Sequence, residues 1–146
     1  MKKLILIIDG EKMDSTFRAK RVLAQKYWVE EVESQNGLDN FLEHLRQEGK
    51  VPYYSFLEPA FDFRPRYSPE MTNDGVQTGY FLNRDVLAPL KIPVIIWTYP
   101  INQYIYGLNN FPERKWDENV IAIHRKSGED NSMVDIINSL ENSKLS

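Results

Sequence analysis

Three short, almost wholly apolar runs set the terms on which this chain folds: LILII at 4–8, YYSFL at 53–57 and VIIW at 94–97. Each is too short for a core helix, and most of its side chains are β-branched or aromatic. A strand points successive side chains to opposite faces, so an unbroken apolar run buries both. That is the habit of a parallel sheet covered by helices on its two sides. A fourth run, VIAI at 120–123, reads the same way. WVEEV at 28–32 is more polar and belongs at a sheet edge.

Helical spacing fills the gaps between these runs. Met13, Phe17, Ala24 and Tyr27 share a face with Leu23 beside it, and Asp14 or Ser15 can cap the start. Leu38, Phe41, Leu42 and Leu45 repeat at i, i+3, i+4, i+7, and Gly49 ends that helix. A third helix is expected over 76–87. A last one carries Met133, Ile136, Ile137 and Leu140 behind the capping pair Asn131 and Ser132. Residues 102–108 form at best a weak helix. Strands alternating with helices predict one α/β domain over 1–146: a five-stranded parallel sheet, doubly wound in the flavodoxin-like manner. Two long loops interrupt it, at 59–73 and 109–119, and 141–146 reads as a short flexible tail. The first loop holds three prolines, two arginines and several aromatics, which favours a packed loop with a function.

The totals exclude several classes. With 146 residues, 42% hydrophobic and 27% charged, the chain has the make-up of a folded domain. A net charge of −3 argues against a general nucleic-acid binder. No cysteine is present, so disulfides, thiolate catalysis and cysteine-bound zinc are ruled out. The apolar start is too short for a signal peptide, and no run reaches the roughly 18 residues of a membrane span. The expected location is the cytoplasm. No GxGxxG or GxxxxGK[ST] appears, so dinucleotide and P-loop readings have no support. His44 reads as exposed and inert, and His124 as a satisfied histidine on the last strand.

In a doubly wound sheet, ligands bind beyond the carboxyl ends of the strands, near the reversal of winding. The residues there are Asp9, Gly10 and Glu11 after the first strand, Glu58 after the third, Thr98 after the fourth and Lys126 after the last. Carboxylates, a hydroxyl and a lysine on one rim suit a divalent cation and a phosphoryl group. Taken singly, each has a bland reading as a helix cap, a surface acid, a strand-end hydroxyl or a solvated lysine.

Five segments in order resemble the receiver domain of bacterial two-component response regulators. They are LILIIDGE at 4–11, residues 32–45, PYYSFLEP at 52–59, PVIIWTY at 93–99 and VIAIHRKS at 120–127. The resemblance implies that Asp9 takes the first acidic position, Thr98 the threonine that contacts the phosphoryl group and Lys126 the lysine that pairs with it. Tyr99, the next residue, is counted with Thr98 and Lys126 among the switch and phosphate-contact equivalents that the resemblance implies. Three residues depart from the pattern: Gly10 replaces the second acid, Glu58 the aspartate that is phosphorylated, and Ser127 the proline after the lysine.

A glutamate reaches one methylene further than aspartate, and phosphoryl transfer is sensitive to displacements of about 1 Å. The resemblance therefore implies an atypical, stand-alone receiver that is not phosphorylated in the usual way and is not an enzyme. Glu58 would imitate the phosphorylated state, and the domain would bind another protein, a signalling partner or kinase. Magnesium would be held at most weakly, by Asp9 and Glu11, and a homodimer is compatible. The contact face implied by the family holds Tyr99, Tyr104, Tyr106 and Trp116. The alternative is a working phosphoacceptor, Glu58 or Asp62. A magnesium-dependent phosphohydrolase built on Asp9, Glu11 and Glu58 is the third reading.

Overall fold

A computed structural model describes residues 2–9, 16–59, 67–72, 78–98 and 115–144. The strands are β1 (Leu4–Ile8), β2 (Trp28–Val32), β3 (Tyr54–Leu57), β4 (Val94–Thr98) and β5 (Val120–Arg125). They form one sheet in the order β2-β1-β3-β4-β5, with every neighbouring pair parallel. The fold is the doubly wound parallel sheet that the apolar runs predicted, in the flavodoxin-like strand order. The winding reverses between β1 and β3, which places Asp9 and Glu58 on either side of the switch point.

Strand alternation divides the core into two layers. Ile5, Ile7, Tyr54, Phe56, Ile95 and Trp97 pack beneath α1 (Phe17–Lys26) and the last helix, α5 (Ser132–Lys144). Leu6, Ile8, Leu57, Val94 and Ile96 pack beneath α2 (Gln35–Glu48) and α4 (Thr78–Leu82). Ser34 caps α2 by accepting the Gly37 N–H at 3.0 Å. Gly49 closes that helix at φ 67°, a left-handed conformation that costs glycine nothing.

Four local expectations need correction. The third helix, expected over 76–87, is described from Thr78 and widens into a π-turn over Asn83–Leu87, where Asn83 is wholly buried. Its amide exchanges two hydrogen bonds with that of Asn119, at 3.0 and 2.7 Å, and Asn119 also donates to the Ile92 carbonyl at 2.9 Å. β5 is not buried on both faces. It alternates half-buried and exposed residues, with Ile121 and Ile123 outside, because it is the second edge of the sheet. Residues 141–144 continue α5 rather than forming a tail, and Glu141 accepts hydrogen bonds from the hydroxyls of Tyr53 and Tyr54.

The fourth correction concerns α1. The apolar spacing expects Phe17 and Ala24 on its inner face, yet both are exposed, while Ala19, Lys20 and Leu23 are buried. A lysine in the middle of the inner face displaces the apparent apolar stripe. Met13 and the caps Asp14 and Ser15 lie outside the described residues, as does the weak helix at 102–108.

Within the 59–73 loop, the described part includes a turn of helix, α3 (Pro69–Thr72). Tyr67 is buried against Phe81 and donates its hydroxyl to Asp85 at 3.0 Å. The loop's aromatic content thus packs at this position. Phe61, Asp62, Phe63, Arg64 and Arg66 lie outside the described residues.

Candidate functional site

The sheet's own hydrogen bonds carry the rim residues one step past their strands. The Asp9 N–H donates to the Val32 carbonyl at 3.2 Å, Glu58 to Ile8 at 3.0 Å, and Lys126 to Thr98 at 2.9 Å. Each residue is therefore held by the ladder before its side chain makes any contact. Gly79 packs against Pro59: its N–H donates to the Pro59 carbonyl at 2.7 Å, and a Cβ there would lie 2.6 Å from the Pro59 Cα.

Four of the side chains named from the sequence converge. Lys126 Nζ donates to Asp9 Oδ2 at 2.9 Å and pairs with Glu58 Oε2 at 2.9 Å. Thr98 donates its hydroxyl to Glu58 Oε1 at 3.0 Å. Thr98 is fully buried, and Asp9, Lys126 and Glu58 are only 1%, 3% and 7% exposed. Both carboxylate oxygens of Glu58 are thus engaged, one by a hydroxyl and one by an ammonium. A charge this deep would be costly alone, and the pairing compensates each. The Lys126 ammonium also lies 5.1 Å from the centre of the Trp97 ring, a favourable cation–π distance.

Two members of the site have no counterpart in the expectations drawn from the sequence. Lys20 Nζ lies 2.6 Å from Glu31 Oε1 and 3.8 Å from Asp9 Oδ2, with its side chain 8% exposed. Glu31 pairs with Ile7 in register across β1 and β2, so its side chain shares the face on which α1 packs. The available signal was a lysine flanked by apolar α1 residues that turn inward, a position rarely buried unless paired.

Glu11, Tyr99 and Asp62 lie outside the described residues, as do Tyr104 and Tyr106. Trp116 is half-buried and packs edge-on against Tyr80, ring centres 5.9 Å apart. His124 is half-buried on β5, and burial lowers its pKa. His44 is exposed and pairs with Glu48 on its own helix at 3.0 Å.

The receiver likeness implies magnesium, which requires near-octahedral oxygens at about 2.0–2.1 Å. Among the described residues, no group of three histidine, aspartate or glutamate side chains could hold a metal ion. The donor set around Asp9 Oδ2 is instead cationic, with Lys126 and Lys20 both turned toward it. Among the described residues Lys20 thus opposes a cation at that oxygen, while Glu11, the other ligand the resemblance implies, lies outside them.

No protein-family model matches the chain, and no curated protein matches it. Solved structures do. NtrX from Brucella abortus superposes with a TM-score of 0.60 at 15% identity, covering 99% of this chain and 29% of that one. This chain therefore spans less than a third of the NtrX chain. The separate receiver domain of the same NtrX gives 0.55 at 13% identity, covering 92% and 95%. A two-component response regulator from Cytophaga hutchinsonii gives 0.54 at 18% identity, covering 97% and 98%. These likenesses establish the fold: a receiver-type domain, matched almost end to end. Among the described residues no helix is long and apolar enough to cross a membrane.

Proposed function

We propose that this chain is an atypical receiver that acts in signal transduction by binding another protein, without aspartyl phosphorylation. The observation that carries this is the occupation of Glu58: Thr98 holds one carboxylate oxygen at 3.0 Å and Lys126 the other at 2.9 Å. In the receiver pattern the threonine and lysine engage a phosphoryl group. Here a side chain of the protein supplies the anion they engage, so the pocket carries its charge permanently. Glu58 is also held back from in-line attack, since both of its oxygens are already bonded and phosphoryl transfer depends on positioning. Nothing in this reading requires turnover of a substrate, and no step runs through a metal.

The test is incubation with a small phosphodonor, acetyl phosphate, and magnesium, followed by intact mass. The expected result is an unchanged mass. A gain of one phosphoryl group would favour the second reading, a working acceptor at Glu58 or Asp62, and peptide mapping would say which.

A further inference from the structure

We infer that the Lys20 ammonium serves as a built-in substitute for a bound divalent cation, so that the pocket holds its acids together without metal. This deepens the reading of the domain as an atypical receiver and rests on it. Asp9 Oδ2 faces Lys126 Nζ at 2.9 Å and Lys20 Nζ at 3.8 Å. Lys20 is held in place from the far side by Glu31 at 2.6 Å, a contact reaching from the edge strand to α1.

Charge and burial make the point together. Asp9 and Glu58 are two nearly buried carboxylates near the switch point, and like charges so close need cations between them. Lys126 bridges the two, and Lys20 supplies a second positive charge on the outer side of Asp9. Among the described residues, a divalent ion approaching Asp9 Oδ2 from its outer side would meet the Lys20 ammonium and be repelled by it. Lysine carries a compact point charge on a flexible stem, the side chain best able to stand where a small cation would. The Lys20 stem is buried in α1's inner face and its head also lies 5.9 Å from the Trp97 ring centre, so the ammonium is fixed at depth.

The test uses manganese as a paramagnetic probe in ¹⁵N NMR of the full chain. In the unmodified protein, millimolar Mn²⁺ should leave the amide signals of Asp9, Glu58 and Thr98 no broader than those of surface sites such as Glu43. Selective broadening at Asp9 would overturn the inference. Lys20→Met should lower the thermal midpoint, and Mg²⁺ should restore it in part, with an NMR-detected gain of Mn²⁺ broadening at Asp9. A variant destabilised equally with and without Mg²⁺ would reduce Lys20 to an ordinary ion pair and overturn the substitution. If Lys20→Met fails to fold, the titration of the unmodified protein still decides. Metal binding without any phosphoryl gain from acetyl phosphate would sink this inference alone. A phosphoryl gain without Mn²⁺ broadening at Asp9 would sink the atypical-receiver reading alone.

Discussion

Thr98 and Glu58 meet across 40 residues of sequence, the threonine hydroxyl donating to Glu58 Oε1 at 3.0 Å from the end of the adjacent strand. β3 and β4 are in register with Leu57 beside Ile96, so the residues that follow these positions stand close at the same rim. The contact is thus a product of parallel pairing, in which neighbouring strands end side by side. It links the residue that follows β3 to the last residue of β4.

Glu58→Gln keeps the shape and the Thr98 contact but removes the charge that Lys126 answers. The expected loss is about 2 kcal/mol of stability, between a neutral hydrogen bond and a broken buried ion pair. Urea unfolding measures it. In the same protein the Thr98 and Lys126 amide shifts should move, while those of α2 stay where they are.

Gly79→Ala should be more disruptive than its size suggests. The new methyl group would lie 2.6 Å from the Pro59 Cα, a backbone atom that cannot turn aside. Pro59 must shift, and Glu58 with it. A loss on the order of 1–3 kcal/mol is expected from such overpacking, with altered Glu58 and Thr98 amide shifts as the sign that the site has moved.

Asn83→Leu should cost about 1–3 kcal/mol, because it leaves the Asn119 amide without its reciprocal partner at the buried start of the π-turn. The double change Asn83→Leu with Asn119→Leu should cost less than the two singles added together. A double-mutant cycle in denaturant checks this coupling.

His124 makes stability depend on pH. Burial lowers its folded pKa, so the unfolded chain takes up the proton more readily than the folded one. This histidine's contribution is complete above the unfolded value near 6.5 and is lost as pH falls from there through the folded pKa. Stability should therefore decline below about pH 6.5, and His124→Gln should flatten that part of the profile. Denaturant midpoints across the range decide it, and an unchanged slope in the variant would count against the assignment.

Much of the architecture was legible because buried parallel strands leave a dense local trace. The runs at 4–8 and 94–97 correspond to β1 and β4 to the residue or within one residue. Gly49 ended α2 as its position implied, through the left-handed turn. The inner face of α1 differs from its apolar spacing because of Lys20: an inward-facing lysine looks polar in any periodicity. β5 was misjudged because an apolar run says that side chains want cover, and an edge strand receives it on only one side.

The sequence by itself determined the parallel α/β fold and the rim positions of Asp9, Glu58, Thr98 and Lys126, since the first three directly follow runs that had to be strands and Lys126 stands three residues past the last such run. Only the tertiary structure decided how these residues are bonded, and that Lys20 and Glu31 join them. It also decided that Asn83 pairs with Asn119. The physical reason is range. Burying both faces of a strand is a demand that every residue of a short run expresses locally. An ion pair such as Lys126 with Asp9, 117 residues apart, leaves no local periodicity and exists only once the sheet has brought its strand ends together.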